Sequence, residues 1–394
     1  MKTKIIRNYA VFMLLEGLAI SFFFGTYSLF LLEKGLSLLQ INLLNCSFMV
    51  AIFLFEIPTG AIADFFGRKI SVVIGLFAYS LSFLVYFLSD TFALFLVAEI
   101  VGALAFSCVS GALEALVVDS LNHYGYDGKL ETIFRRGEIR QFGIIIGAVI
   151  GSFVGQINLS WPWLLSSLTY AFLAVGVIYF FREEYFVRSG KIKISFGAIK
   201  IITRDSISYG FKNRQLMLIV LFMAFVFLAI QPMNMYWQIV FEKEYFVPVK
   251  FMGLIFAGIV VFAYLGSQLS SIWQKIFPSP QKAIVYSQLI TLLGIMACLL
   301  VFKLPLFLSF FFLHEIGRGL IRPLSRAYIN NIIDNKNRAT VLSFESMIAK
   351  AGAASGLLIS GVIADNFDVL ISWLSAVIIL FLTILFFCGK TKKV

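Results

Sequence analysis

Long apolar runs follow one another along almost the whole chain, with short polar turns between them. A helix needs about 20 mostly apolar residues to cross the hydrocarbon of a bilayer, and only helices or closed barrels satisfy their backbone hydrogen bonds there. The runs are continuous rather than alternating, which excludes a barrel. The chain is 60% hydrophobic and 13% charged, more apolar than a soluble core requires. The sequence therefore predicts an all-α integral membrane protein.

These runs predict twelve transmembrane helices. The longest polar interruption separates the sixth span from the seventh, so we expect two six-helix bundles. The predicted domains are an N-terminal bundle over 1–182, a cytoplasmic basic amphipathic linker over 183–215 and a C-terminal bundle over 216–394. The predicted spans are 10–32, 41–63, 70–88, 91–121, 139–157, 163–181, 216–241, 251–272, 283–302, 304–333, 338–364 and 369–388.

The distribution of basic residues predicts the orientation, because Lys and Arg are retained on the cytoplasmic side. With both termini cytoplasmic, only Lys34, Lys243, Lys250 and Lys303 of the 32 Lys and Arg residues face outward. The net charge of +11 then reflects topology and attraction to anionic lipid, not nucleic-acid binding. The linker has two interpretations: a helix lying on the inner membrane surface, or a solvated segment that only fixes topology. We expect a multi-pass protein of the inner or plasma membrane.

The turn after the second span concentrates charge at a membrane edge and suggests a gate. Its residues are Gly60, Asp64, Gly67, Arg68 and Lys69. The two glycines permit close helix approach and a tight turn. The aspartate can accept hydrogen bonds from the N-terminal amides of a facing helix or pair with a cation, while the two basic residues anchor the edge. The alternative is that the basic residues merely set topology.

Twelve helices in two halves, with this motif after helix 2, resemble the major facilitator superfamily. The segment Glu-Ile-Pro-Thr-Gly at 56–60 and the segment Arg-Ala-Thr at 338–340 further resemble its drug-efflux-like proton antiporter branches. The resemblance covers essentially the whole chain. It implies alternating access, function as a monomer, and a loop that latches the inner side in the outward-open state. On this sequence the latch role falls to Asp64 and Arg68.

Ionisable residues inside the spans are candidates for proton coupling, because a charge in hydrocarbon is costly unless it is paired or faces water. For Glu16 the alternative is a structural hydrogen bond to a neighbouring helix. For the pair Glu315 and Arg318, three residues apart, the alternative is a neutralised ion pair, and a lone buried histidine is more often a satisfied core residue. The candidates are Glu16, Glu99, His314 and Glu315.

The fourth predicted span departs from the family at one position. Drug-proton antiporters commonly carry a buried arginine three residues before a glycine, and this chain has Glu99 three residues before Gly102. The reversed charge puts an arginine-assisted proton relay in doubt, although Glu99 itself can carry a proton. Nearer the inner end we expect a structural network that joins acids to loop arginines: Glu114 and Asp119 with Arg135, Arg136 or Arg140.

Two further patterns concern packing and the substrate cavity. Glycine at every fourth position of the fifth predicted span removes side chains from one face, so that another helix can pack closely. This resembles the glycine-rich antiporter motif without its proline, which weakens the assignment as an exporter. In the seventh predicted span, a proline loosens the helix and frees backbone carbonyls to line a cavity. The packing glycines are Gly143, Gly147, Gly151 and Gly155, and the cavity candidates are Gln231, Asn234, Trp237 and Arg318.

No sequence feature supports an enzyme, because the chain lacks a nucleotide-binding loop, paired metal ligands and a Ser/His/Asp array. The four cysteines lie in apolar spans without paired spacing, so neither a disulfide framework nor a metal site is predicted. We expect no cofactor, and a proton gradient as the energy source. The expected function is proton-coupled efflux of small amphipathic molecules. The alternatives are uptake or facilitated transport of a polar metabolite and, in another class, a non-transporting membrane receptor or assembly factor.

Overall fold

The computed structural model describes residues 1–186, 213–333 and 338–391, and within those ranges it consists of helices and their connections, with no strand. Most of the predicted linker, and the side chains of the Arg-Ala-Thr segment at 338–340, lie outside the described part. The helices are α1 (Lys2–Ser21), α2 (Tyr27–Glu33), α3 (Leu38–Phe66), α4 (Arg68–Leu88), α5 (Phe92–Val109), α6 (Ala112–His123), α7 (Leu130–Gly137), α8 (Arg140–Gly155), α9 (Trp161–Phe180), α10 (Arg214–Ala229), α11 (Gln231–Lys243), a 3-10 helix (Val249–Phe251), α12 (Met252–Ile276), α13 (Pro280–Leu300), α14 (Leu304–Ile332), α15 (Arg338–Asn366) and α16 (Val369–Thr391).

Eleven helical segments of the described residues are long and apolar enough to cross a membrane. They correspond to the second to twelfth predicted spans. The first predicted span, 10–32, is occupied by two helices, α1 and α2, with a break between Ser21 and Tyr27. Because α1 includes Lys2, Lys4 and Arg7 as well as Glu16, its 20 residues are less apolar than the other spans.

Two other predicted spans contain breaks. The fourth is divided into α5 and α6 at Ser110 and Gly111, where the φ of Gly111 is 74°. That left-handed conformation is one that glycine adopts without steric cost. The seventh is divided into α10 and α11 at Ile230, and Pro232 lies in the first turn of α11, where its missing N–H leaves no unmet hydrogen bond.

Several helices begin at a side chain that accepts hydrogen bonds from the first free backbone amides. Asn213 accepts from the amides of Gln215 (3.1 Å) and Leu216 (3.0 Å) at the start of α10. Ser279 accepts from Lys282 (3.3 Å) at the start of α13, directly before a proline. Such caps are the residue types that sequence rules favour, so these boundaries follow from local chemistry.

The described residues fall into two compact units. The first unit combines Met1–Leu36, Leu43–Ser195 and Phe246–Ala257, and the second combines Ser37–Asn42, Phe196–Tyr245 and Gly258–Val394. Most of α3 therefore belongs to the first unit, while its first residues belong to the second. The six-plus-six division of the sequence remains a prediction about domains.

Each unit is held together by helices that are distant in sequence. In the first unit, α4 packs against α5 and α9, and α1 packs against α8 and α9. In the second, α14 packs against α13, and α10 packs against α15 and α16. Leu216, Phe222 and Phe344 belong to the apolar core of the second unit, each at most 2% exposed. These packed helices fix the positions of the polar side chains described next.

Candidate functional site

The turn between α3 and α4 is fixed by a carboxylate from another part of the chain. Gly67 has a φ of 100°, a conformation that favours glycine. The first two amides of α4, from Arg68 and Lys69, donate to Glu183 over 2.7 and 3.0 Å. Glu183 follows α9 directly and was not among the sequence candidates. A carboxylate at a helix N-terminus satisfies free amides and complements the positive end of the helix dipole.

The side chain of Arg68 forms an ion pair with Asp119 on α6. The expectation that Asp119 pairs with Arg135, Arg136 or Arg140 is therefore wrong. The physical reason is that the α3–α4 turn lies beside the end of α6, a contact between segments that are about 50 residues apart in sequence. Asp64 is exposed, and within the described ranges its side chain forms no hydrogen bond or ion pair. Its latch role remains a prediction.

A cavity of about 300 Å³ opens beside this turn, between α3, α5 and α6. Its lining includes Glu56, Gly60, Asp64 and Gly111. A Cβ added at Gly60 would meet nothing within 4 Å. The close helix approach expected at Gly60 is thus absent from the structure as described, because α3 is separated there from its neighbours by the cavity.

Glu16 lies in a network that joins three helices of the first unit. Arg140, at the start of α8, forms an ion pair with its carboxylate, and the Tyr170 hydroxyl of α9 donates to it over 3.2 Å. The Glu16 side chain is 15% exposed. The ion pair neutralises both charges. Glu16 thus has hydrogen bonds to neighbouring helices, as its structural interpretation predicts.

Glu99 has a different environment, made of hydroxyl groups. The Tyr86 hydroxyl of α4 donates to its carboxylate, and Tyr27 of α2 is a second hydrogen-bonding partner. Tyr27 in turn accepts from the side-chain amide of Asn45 on α3, over 2.9 Å. Among the described residues no Lys, Arg or His forms an ion pair with Glu99. An ionised Glu99 would therefore be a membrane carboxylate without a cationic partner.

Aromatic rings pack around Tyr86, the hydroxyl partner of this carboxylate. The Trp163 ring stacks on Tyr86 with centroids 4.0 Å apart and on Phe23 with centroids 4.1 Å apart. Phe95 lies against Tyr86 at 5.1 Å. These rings bury Tyr86, which is 2% exposed, while Glu99 beside it is partly buried.

In the second unit, three of the four cavity candidates lie together. Arg318 donates to Glu315 over 2.6 Å and to Asn234 over 2.7 Å, and Asn234 contacts Gln231 at 3.4 Å. Nε2 of His314 lies 3.2 Å from the same Glu315 carboxylate. His314 and Glu315 are 0% and 2% exposed. The arrangement is an internally paired cluster in which Arg318 remains partly exposed.

Trp237, the fourth cavity candidate, is buried on α11, where its ring packs edge-on against Phe241 with centroids 6.2 Å apart. Within the described part of the chain, no group of three or more His, Cys, Asp or Glu side chains is arranged to hold a metal ion.

The glycines of α8 lie directly against α1 and the residues that follow it. A Cβ added at Gly143 or Gly147 would overlap the carbonyl oxygen of Leu14 or Leu18, respectively. At Gly155 it would lie 2.7 Å from Thr26. The four-residue repeat therefore matches positions four apart on its neighbour, as expected for small-residue helix packing.

The first turn of α3 is held by side chains from α11 and α15, all within the second unit. The carboxylate of Asp365 accepts from the amides of Leu38 (2.8 Å) and Leu39 (3.1 Å). The buried Asn42 amide donates to the Tyr236 hydroxyl (2.7 Å) and to the Leu357 carbonyl (2.7 Å). Sequence reasoning did not single out Asp365, although an acid at the end of an apolar span is a possible signal for a helix cap.

Replacing Asp365 with alanine is expected to loosen the start of α3, because two backbone amides lose their acceptor. Loss of a cap costs about 1 kcal/mol, so amides 38–42 should exchange hydrogen for deuterium roughly fivefold faster. The matched control is Asp368→Ala, since Asp368 caps α16 through Leu370 over 2.7 Å. Equal exchange at α3 in wild type and Asp365→Ala would contradict the capping role.

The sequence profile of the Major Facilitator Superfamily matches residues 9–280 and 234–393, which together span almost the whole chain. The chain belongs to this superfamily. Members of the superfamily are transporters, not enzymes. An uncharacterized MFS-type transporter of Bacillus subtilis, YxaM, is 25% identical over 95% of this chain and 92% of its own length. The quinolone resistance protein NorA of Staphylococcus aureus is 22% identical over 44% of this chain and 42% of its own length.

Solved structures of other superfamily members share the fold. The nucleoside transporter NupG has a TM-score of 0.79 at 14% identity, covering 98% of this chain and 99% of its own. A bacterial homologue of the lysosomal transporter Spinster has a TM-score of 0.76 at 14% identity, covering 98% of this chain and 96% of its own. At such identities the likeness concerns the fold of this superfamily member and not its substrate.

Proposed function

We propose that this transporter exports small amphipathic molecules by proton-coupled alternating access, with Glu99 as the proton carrier. The observation that carries the proposal is the chemistry around Glu99: a carboxylate inside a membrane span whose partners are Tyr86 and Tyr27, with no ion pair among the described residues. A membrane carboxyl that exchanges a proton must be tolerated in both its charged and its neutral form. Hydroxyl groups provide this, because they can either donate or accept.

The other acids inside the membrane spans fit a proton carrier less well. Glu16 is paired with Arg140, and Glu315 is paired with Arg318. Protonation of either acid would leave a partly buried guanidinium without its counter-charge, which is unfavourable. His314 lies against Glu315, so that its protonation would add charge to a cluster that is already paired. We therefore assign these residues to structure and Glu99 to coupling.

The export direction is supported by the similarity to NorA over 44% of this chain, since the name of that protein states quinolone resistance. Uptake of a polar metabolite is the second candidate. It is favoured by the cluster of Gln231, Asn234 and the partly exposed Arg318, which offers hydrogen bonds to a polar molecule. The two candidates differ in substrate chemistry and in direction.

The remaining parts of the proposal concern gating and topology. The motif of Gly60, Asp64, Gly67, Arg68 and Lys69 serves as the gate on the cytoplasmic side, where both termini lie. Twelve spans form two bundles over 1–182 and 216–394, joined by a cytoplasmic basic linker over 183–215. The transporter works as a monomer in the plasma membrane.

Everted membrane vesicles test substrate class and direction together. Lipophilic cations and neutral dyes are offered in parallel with nucleosides, sugars and amino acids, and the interior of the vesicles is made acidic. The proposal predicts that an amphipathic compound accumulates inside and is released when the pH gradient is collapsed. Accumulation that ignores the gradient would contradict proton coupling. Movement of polar metabolites alone would favour the second candidate.

A further inference from the structure

Three stacked aromatic rings of the first unit end at the hydroxyl partner of Glu99. Trp163, in the first turn of α9, lies between Tyr86 of α4 and Phe23, which belongs to the connection between α1 and α2. The planes of the Trp163 and Tyr86 rings make an angle of 4°, and those of the Trp163 and Phe23 rings an angle of 9°. All three residues are buried. Both faces of the indole are therefore covered, and so is one face of the Tyr86 ring.

This stack determines where the Tyr86 hydroxyl lies. The hydroxyl is at the far end of the ring and donates to the carboxylate of Glu99 on α5, so a tilt of the ring would move it off that carboxylate. Phe95 of α5 packs against the same ring with centroids 5.1 Å apart. In a closely packed interior a ring cannot tilt unless its neighbours move aside. Trp163 thus keeps the hydroxyl of Tyr86 on Glu99 without touching the carboxylate itself.

The indole N–H of Trp163 is a second, independent observation. It forms no hydrogen bond among the described residues, although the side chain is buried. A buried tryptophan usually finds a partner for its N–H, and a buried donor without a partner is unfavourable. Phenylalanine would fill much of the same space without that cost, but its smaller ring would cover less of Tyr86 and Phe23. The unpaired N–H therefore indicates that the breadth of the indole ring is needed at this position.

We propose that Trp163 is a positioning residue, which holds the Tyr86 hydroxyl on the carboxylate of Glu99 and thereby sets the pH at which this carboxyl binds its proton. The proposal rests on Glu99 being the proton carrier of the proposed function. A hydrogen bond donated to a carboxylate stabilises its ionised form. When the stack is loosened, the ionised form loses this bond, and Glu99 keeps its proton up to a higher pH.

The groups around Glu99 give the shift a definite sign. The titratable groups that face its carboxylate are the hydroxyls of Tyr86 on α4 and Tyr27 on α2. The helix α6 also packs against α5, and its Asp119 is paired with Arg68. Water that entered the space left by a smaller side chain would favour the ionised form and lower the pH of proton binding. Loss of the Tyr86 hydrogen bond raises that pH, so the direction of the shift distinguishes the two effects.

Infrared difference spectroscopy of the purified transporter tests this role without any substrate. The carbonyl-stretching band of protonated carboxyl groups is followed during a pH titration, and the part that is lost in Glu99→Gln is assigned to Glu99. Tyr86→Phe is expected to move the midpoint of this part upward by about 1–2 pH units, the effect of one hydrogen bond to a charged group. Trp163→Leu is expected to move it upward by about 1 pH unit. Trp163→Phe keeps a flat ring, so its shift is expected to be smaller.

A double variant shows whether Trp163 acts through Tyr86. Trp163→Leu combined with Tyr86→Phe is expected to titrate at the same pH as Tyr86→Phe alone, because the hydroxyl to be positioned is already absent. The matched control is Phe262→Leu, which opens another stacked pair, the rings of Phe262 and Phe312 with centroids 4.7 Å apart. This control is expected to keep the wild-type midpoint.

The outcomes separate failure of this inference from failure of the proposed function. If Glu99→Gln loses no titrating part of the band, Glu99 is not the proton carrier. An unchanged or lowered midpoint in Trp163→Leu, or a further shift in the double variant, would overturn only the role of Trp163. If Trp163→Leu does not fold, Phe23→Leu loosens the stack from its other side and is expected to raise the midpoint. A wild-type midpoint in that variant would then overturn the role.

Discussion

Replacing Glu99 with glutamine is expected to abolish proton-driven substrate accumulation while the protein remains folded. Glutamine has nearly the same shape and can still accept hydrogen bonds from Tyr86 and Tyr27, but it neither binds nor releases a proton. A proton that the variant cannot bind cannot favour one conformation over the other, so proton-driven accumulation should fall by at least about 100-fold. Purified protein in liposomes with an imposed pH gradient provides the measurement.

Glu16→Gln is the matched control, because it makes the same change to an acid paired with Arg140. The pair is partly exposed, so removing one partner costs less than in a fully buried pair, where the cost is about 3–5 kcal/mol, and this variant should lose some thermal stability. The protein that does fold should still accumulate substrate in response to the pH gradient. The assignment of the two acids would be reversed if Glu99→Gln accumulated substrate at the wild-type level. It would also be reversed if folded Glu16→Gln no longer accumulated substrate in response to the pH gradient.

Replacing Gly151 with alanine is expected to give the largest loss of stability among the glycine variants. A Cβ at this position overlaps the carbonyl oxygen and carbon of Phe22, and backbone atoms cannot move aside as a flexible side chain can. Overpacking of this kind costs typically about 1–3 kcal/mol and occasionally more. The yield of monodisperse protein and its thermal midpoint in detergent should both fall.

Gly176→Ala in α9 is the control for this effect, because an added Cβ there meets nothing within 4 Å. Alanine in a helix is favoured over glycine by about 0.5–1 kcal/mol, so this variant should be as stable as wild type or slightly more stable. Equal stability of the two variants would mean that α1 and α8 are not packed as closely as the structure shows.

The helical membrane class follows from the sequence, because hydrocarbon leaves so few solutions for the backbone. The superfamily was recognisable by resemblance, from the charged motif after the second predicted span. The breaks in the helices follow less well. The break at Gly111 depends on a positive φ, which a single glycine in an apolar run does not reveal. In contrast, Pro232, two residues after Ile230, marks the other break in the sequence itself.

The polar contacts divide in the same way, according to sequence separation. The pair of Glu315 and Arg318 was recognisable, because residues three apart on a helix are neighbours. The pairs of Arg68 with Asp119 and of Arg140 with Glu16 join helices distant in sequence. Their partners depend on how helices pack, and one sequence carries no direct signal for that.

The two distant caps show why part of the site was missed. Glu183 caps α4 and Asp365 caps α3, each across a long stretch of sequence. Local rules search for a cap in the residues just before a helix. A carboxylate supplied by another segment satisfies the same amides, but it is found only when the segments have been placed in space.

Proton release on substrate binding tests the central claim most directly. The purified transporter, in weakly buffered detergent solution, is mixed with an amphipathic compound that it accumulates in vesicles, and the pH of the solution is followed. The account predicts proton release by wild type and by Glu16→Gln, and none by Glu99→Gln. Substrate binding without proton release by wild type, or equal release by Glu99→Gln, would contradict it.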